Sequence, residues 1–289
     1  MPQTFRTPDG ELTNAVYGFT SMLLNILNNE KPDYIACSFD LKGKTFRHEQ
    51  YEDYKATRPK GPDELYSQFP RIKEIVRAFQ IPIYEVQGYE ADDVLGTLAR
   101  KAEAHTKDLM TYIVTGDMDT TQLITDTVRV LTPIKGFSDS LIYDRNKVLD
   151  KYGLTPEQIT DMKGLQGDNS DNIKGVRGIG PKTAKALLQK YGTIENLYEH
   201  LDEITGSTHT KLAEGRDSAF QSKELATIIT DVPITFDLNA CTTHEYDTDK
   251  IFALFDQLQF KSLYRKLGVF NTHSAAQKIE ADNTQPSLF

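Results

Sequence analysis

The sequence contains no tryptophan and only two cysteines, Cys37 and Cys241, 204 positions apart. Such usage supports neither a disulfide framework nor a Cys-based zinc site, and a reduced, cytoplasmic setting is expected. Six histidines form no paired ligand pattern, which also argues against zinc. No run approaches the roughly eighteen consecutive apolar residues of a membrane span. The first thirty residues lack the basic start and apolar stretch of a secretory leader, so neither membrane insertion nor export is expected. Positive charge is scarce: 33 Lys and Arg against 42 Asp and Glu leave a net charge of −9. A uniformly basic nucleic-acid binder is excluded, and the placement of the charges has to decide.

What is present is the pattern of a globular chain, with 289 residues of which 38% are hydrophobic. Leu12 to Asn28 predicts a helix, with Leu12, Val16, Phe19, Leu23 and Leu27 on one stripe. Asp33–Phe39, Ile81–Val86, Thr111–Thr115 and Val128–Thr132 are apolar runs of strand type. Helices are expected between them, around Leu65–Phe79 and Glu90–His105. Strands alternating with helices predict an α/β fold with a mostly parallel central sheet over residues 1–150. After Tyr143 strand signals vanish. Thr155-Pro156-Glu157 and Pro181 open helices, and helical patterns run to about Leu267, predicting an all-helical subdomain over 151–270. The polar segment 271–289 is expected to be a disordered tail.

Acids gather at telling places. Asp40 follows the first strand, Glu90, Asp92 and Asp93 open a helix, and Asp117 and Asp119 follow another strand. In a parallel sheet these positions share one edge, the edge where ligands bind. Asp168 and Asp171 sit in a loop of the helical half. Acids in a first helical turn can be simple caps, and an acid after a strand can be a turn residue. Eight together are costly unless cations neutralise them. Mg²⁺ or Mn²⁺, hard ions with a preference for carboxylate oxygen, are the expected cofactors, and a pair of such ions is a recurring device for phosphodiester hydrolysis.

Without those eight carboxylates the net charge would be −1. Leu41–Lys60 carries Lys42, Lys44, Arg47, Lys55, Arg58 and Lys60, interleaved with Tyr51 and Tyr54, which suit contact with a single strand or, equally, packing. Asn172–Ile194 carries Lys174, Arg177, Lys182, Lys185 and Lys190 with no acid. At its centre Gly175, Gly178 and Gly180 lead into Pro181-Lys182-Thr183-Ala184, a glycine hairpin feeding a helix start whose amides can meet a phosphate. This resembles a helix–hairpin–helix element (167–191) that grips a DNA backbone without reading sequence. Two rival readings fit parts of this pattern. Asp117-Met-Asp119-Thr-Thr121 with a later Gly167-Asp168 fits the signature of haloacid dehalogenase-like phosphatases, but that later acid should follow a strand, and here a capped helix precedes it. A calcium loop fails because Ile173 and Ile179 fall where glycine and glutamate are required.

NAVYGF (Asn14–Phe19), FRHEQYEDYKATRP (Phe46–Pro59), GYEADD (Gly88–Asp93), TGDMD (Thr115–Asp119), GDNSDNIKGVRGIGPKTA (Gly167–Ala184) and LQF (Leu258–Phe260) together resemble the 5′ nuclease (flap endonuclease) family. The nearest likeness is to the 5′→3′ exonuclease domain of bacterial DNA polymerase I, over roughly Thr7 to Phe270. The resemblance implies a PIN-like nuclease core with an arch at 41–80. It implies two metal clusters, Asp40, Glu90, Asp92, Asp93 and Asp117 around the first and Asp119, Asp168 and Asp171 around the second. Lys55 and Arg47 match catalytic basic residues of the arch, and Gly175 to Lys185 the duplex-gripping hairpin. The implied reaction is in-line attack of a metal-activated water on a phosphodiester, leaving a 3′ hydroxyl and a 5′ phosphate. The implied substrates are branched or nicked DNA, 5′ flaps and RNA primers in replication and repair, in a bacterial nucleoid-associated setting.

Family members begin with a strand ending in an aspartate, and Met1 falls after that unit, so a central strand and one first-cluster ligand are expected to be absent. Asp9 lies in a turn and does not replace it. A catalytically impaired DNA-junction binder is therefore the competing expectation. Gln285-Pro-Ser-Leu288-Phe289 resembles a sliding-clamp docking peptide, with a linker to a fused or separate polymerase as the alternative.

Overall fold

The structure, a computed structural model, describes residues 5–106, 108–133, 140–243 and 246–267. The expected tail at 271–289, with Gln285, Leu288 and Phe289, lies outside the described residues. Helix α1 (Asn14–Asn29) buries Val16, Leu23 and Leu27 of the predicted stripe, and Leu24 beside them. Strand β1 (Cys37–Ser38) leads into the arch, made of α2 (Phe46–Gln50) and α3 (Asp63–Tyr66), and then into α4 (Phe69–Ala78). Then come β2 (Ile83–Tyr84), α5 (Ala91–His105), β3 (Thr111–Val114), a 3₁₀ turn at Met118–Leu123, β4 (Val128–Pro133), β5 (Ser140–Tyr143) and α6 (Arg145–Tyr152). The α-helices of the remaining described chain are α7 (Ile159–Gln166), α8 (Pro181–Tyr191), α9 (Ile194–Glu199), α10 (Gly206–Glu214), α11 (Arg216–Ala226), α12 (Thr248–Gln257) and α13 (Tyr264–Leu267).

All four expected strands form, and both pairs they make are parallel: Cys37 opposite Ile83 in one, Thr111 opposite Val128 in the other. The sheet is nevertheless divided. β1–β2 stands as one piece and β3–β4–β5 as another, with β5 antiparallel on β4. Helix α5 lies against both β1 and β3, so the two pieces share one supporting helix. β1 runs towards Asp40, β3 runs towards Asp117, and α5 begins just after Glu90. Chain direction thus delivers three acidic features to one edge, as parallel pairing requires.

The cores are distributed differently from the expected boundary at 150. One apolar cluster joins α1, α4 and Ile81 to Tyr246, Phe252, Phe255, Phe260 and Leu267. Helices α12 and α13, expected to belong with the helical subdomain, therefore pack on the N-terminal half. A second cluster surrounds the hairpin with residues from Leu154 to Ala219. A third joins β3, β4 and α5 to Ile159 and Ile228. An amphipathic helix shows in its sequence that it needs an apolar partner but not which one, and the chain's return path made the choice.

Candidate nuclease site

The acidic edge is built by local hydrogen bonding. Glu90 caps α5 in a capping box with Asp93, whose Oδ2 accepts from the Glu90 amide at 3.0 Å. Asp40 Oδ1 accepts from the Ala91 amide at 2.8 Å, holding the residues after β1 to the start of α5. Asp117 caps the 3₁₀ turn, accepting from the Asp119 amide at 2.9 Å. These contacts bring Asp92 close to its acidic neighbours. Burial first, then repulsion from Asp117, Asp40 and Glu90, pushes its carboxyl up to about 7 despite the opposing pull of Lys55. A pocket with mostly polar walls opens here, lined by Tyr54, Lys55, Glu90, Asp92, Asp117, Asp119 and Asp171 among others.

Asp93 is placed elsewhere. It is wholly buried, and Arg47 grips both its oxygens at 2.8 and 2.7 Å. Oδ1 also accepts from the Ile229 amide at 2.9 Å. Arg47, only 3% exposed, spends its remaining donors on the carbonyls of Leu225 and Thr227. The aspartate's oxygens are thus already engaged, whereas the arginine also comes within 3.5 Å of Glu90 Oε2 and lines the pocket of the acidic edge. The pair clamps the arch base to the end of α11. In sequence a buried arginine and an exposed one in a basic segment look alike.

The arch leans on the loop that carries the second acidic group. Lys55 Nζ meets Glu90 at 2.8 Å and Asp171 at 3.8 Å, and Arg58 meets Asp171 at 3.0 Å. The Lys55 amide donates to the Asp171 carbonyl at 2.9 Å from a left-handed backbone, φ 55. Strain of this kind persists only where surrounding contacts enforce it. Tyr54 is buried and packs with Ile173, Leu225 and Ala226, its hydroxyl donating to Glu90 and Asp171 at 3.2 and 3.3 Å. Tyr51 packs beside it. For Tyr54 the packing alternative describes the placement, whereas Tyr51 is only half-buried, with Lys174 Nζ 5.4 Å from its ring centroid.

Asp171 is drawn to the arch, while Asp119 and Asp168 share a partner that sequence reasoning missed. Lys163, in the last turn of α7, reaches the carboxylates of both, at 2.5 Å in the case of Asp168. Burial disfavours the Asp168 charge, but hydrogen bonds from Lys163 and Ser170 outweigh it and bring the carboxyl down to about 2. The signal in the sequence that could have found Lys163 is its spacing, five residues before Asp168 on the helix opened at Thr155-Pro156.

The hairpin stands as the glycine pattern implied. Gly167 and Gly175 interlock at positive φ, and a Cβ on Gly175 would sit 2.2 Å from the Gly167 nitrogen. The Gly175 amide donates to Ser222 Oγ and its carbonyl accepts from Ser218 Oγ, fastening the hairpin to α11. Gly178 also has positive φ, and Gly180 caps α8, whose first turn holds Lys182 and Thr183 and no acid. Lys174, Arg177 and Lys182 are exposed, as are Lys42 and Lys44 in the arch segment. Lys185 instead lies over Gly153 at the end of α6.

All the donors at the acidic edge are carboxylates, the hard oxygen set that suits Mg²⁺ or Mn²⁺, and the raised Asp92 carboxyl shows repulsion that a cation would relieve. Among the described residues no three acidic side chains converge closely enough to hold an ion as they stand.

Residues 1–153 match the 5'-3' exonuclease, N-terminal resolvase-like domain, and residues 154–249 the 5'-3' exonuclease, C-terminal SAM fold. DNA polymerase I of Bacillus subtilis is 45% identical over 260 residues, covering 90% of this chain and 29% of the relative. DNA polymerase I of Mycobacterium tuberculosis is 40% identical over 280 residues, covering 97% of this chain and 30% of the relative. The chain thus spans about 30% of the length of the curated relatives it matches. In fold it is similar to the flap endonuclease of bacteriophage T5 in a complex with DNA and metal ions, with TM-score 0.64, 20% identity, and coverage of 88% of this chain and 90% of the other. It is also similar to the catalytic core of Rad2 in complex with a DNA substrate, with TM-score 0.54, 18% identity, and coverage of 84% and 79%.

Proposed function

The chain belongs to the 5'-3' exonuclease family, and from that premise and the geometry above we propose that it is a structure-specific 5′ nuclease using two divalent ions, Mg²⁺ or Mn²⁺. Its substrates would be nicked or branched DNA, 5′ flaps and RNA primers. The observation that carries this reading is the gathering of Glu90, Asp92, Asp117, Asp119 and Asp171 around one polar pocket, with Lys55 among its walls and Asp40 held to the start of α5 beside it.

Asp40, Asp92 and Asp117, with Glu90 beside them, would hold one ion, and Asp119, Asp168 and Asp171 the other. Bound there, the ions would supply charge neutralisation and a nucleophilic water at neutral pH. The chain's own residues do the rest. The Gly175–Gly180 hairpin and the free amides of α8 would hold the duplex backbone, with Lys174, Arg177 and Lys182 adding charge. Lys55 and Arg58, held over the acidic edge by Glu90 and Asp171, would meet the scissile phosphate and the threaded strand. Arg47 and Asp93 position the arch without touching substrate. By its likeness to DNA polymerase I of bacteria, the chain would act in the bacterial cytoplasm, at the nucleoid, beside a fused or separate polymerase. The Gln285–Phe289 peptide would dock a sliding clamp.

A second reading, a junction binder with impaired catalysis, is favoured by one observation: no three acids converge among the described residues. Cleavage of a labelled 5′-flap DNA with Mg²⁺ or Mn²⁺, beside Asp119→Asn, separates the two. The nuclease reading expects metal-dependent cleavage that falls at least a hundredfold in the variant while binding is nearly retained. Binding without cleavage by the parent chain would establish the second.

A further inference from the structure

Lys163 is a charged residue only 7% exposed. It stands on α7 between Asp119, which follows β3, and Asp168, just beyond the end of α7. Burying an ammonium is costly unless it is paired, and here two carboxylates pair it, one five residues along its own segment and one from the turn after β3. Asp171, the third acid of this group, is turned away to Arg58 and Tyr54. The contrast with the first group is sharp. Asp92 has acids for neighbours and Lys55 as its opposing charge, whereas Asp119 and Asp168 already share a cation of their own.

We infer that Lys163 is a resident cation of the second carboxylate pair, and that a divalent ion joins Asp119 and Asp168 only by displacing its ammonium. The inference rests on the two-ion reading above and deepens it. It gives the two sites an order: in the first cluster Lys55 and Arg47 pair with Glu90 and, among the described residues, no ion pair holds Asp40, Asp92 or Asp117, so it fills first, and the second fills at higher ion concentration. Lys163 is then a positioning residue. It keeps Asp119 and Asp168 together before the ion arrives and sets the concentration at which the ion enters.

The test is Mn²⁺ binding to the whole chain, counted by electron paramagnetic resonance of the free ion. The parent should bind one ion tightly and a second at least tenfold more weakly. Lys163→Met removes the charge but keeps the stem, and it should tighten the second step at least tenfold while lowering the melting temperature of the ion-free protein. Lys163→Arg should keep the weak second step. Unchanged or weaker second-site binding in Lys163→Met, with saturable binding in the parent, overturns the inference and leaves the two-ion reading standing. No saturable Mn²⁺ binding in any form overturns both. Should Lys163→Met fail to fold, ¹⁵N NMR of lysine ammonium groups in the parent provides the same decision, with Lys163→Arg identifying the signal. The Lys163 signal should move in the second phase of a Mg²⁺ titration, and a signal unmoved at saturation overturns the inference.

Discussion

Asp92 and Asp93 are adjacent in sequence and opposite in circumstance. Asp93 is buried with an arginine on both oxygens, and Asp92 faces Asp117, Asp40 and Glu90. The sign of the pH dependence follows. A carboxyl whose folded value is raised to about 7, from 3.8, binds its proton more tightly in the native state than in the unfolded chain. Its contribution to stability is complete below the unfolded value and is lost as pH climbs to about 7. In EDTA, the melting temperature should therefore fall as pH rises from about 4 to about 7 and level off beyond, and Asp92→Asn should flatten that fall. Mg²⁺ should restore stability most at the alkaline end. Thermal melts at pH 5.5, 7 and 8.5 measure it; a parent curve that rises with pH would contradict the placement of Asp92 among unneutralised acids. The Arg47–Asp93 pair belongs to the opposite regime, where each charge is satisfied and neither is free for chemistry.

At the scale of elements, the hairpin and the arch are coupled through α11. Ser218 and Ser222 fasten Gly175 to the middle of that helix, and Arg47 takes the carbonyls of Leu225 and Thr227 at its end. Gly175→Ala would drive a Cβ into the Gly167 backbone from a left-handed φ, which no small shift can relieve. Affinity for a flap duplex should drop by more than tenfold, read by fluorescence anisotropy. Binding by the parent should weaken steeply with salt, since phosphate contacts release counterions. Arg177→Ala and Lys182→Ala should each lower the slope of log affinity against log salt by about 1. Lys185→Ala should change it little, because that side chain lies over Gly153. Equal slopes for all three variants would remove the hairpin from the DNA interface.

At the scale of the molecule, the last described helices close the first core. Phe252 and Phe255 are buried with Phe79 and Leu24, more than 150 residues away in sequence. Phe255→Ala should cost about 3–5 kcal/mol, typical of a large cavity in a packed core. Urea denaturation followed by circular dichroism should show the loss. Because α1 and α4 share that core, the N-terminal half should unfold together with α12; a transition confined to residues after 246 would show the cores to be independent.

Much of this molecule was legible without coordinates. The strands, the principal helices, the acids that follow β1 and β3, and the glycine hairpin all rest on local rules of periodicity, capping and turn geometry. The family likeness rests on local motifs in order. Tertiary structure decided what local rules cannot reach. It buried Arg47 and Tyr54, which look exposed in a basic segment, and tied Asp93 to the arch. It divided the sheet, sent α12 back to α1, and set Lys163 between two acids from distant parts of the chain. A residue's type and spacing declare what it can bind, but burial and partnership depend on which distant segment arrives beside it. At the acidic edge, that arrival determines which carboxylates remain open to an ion.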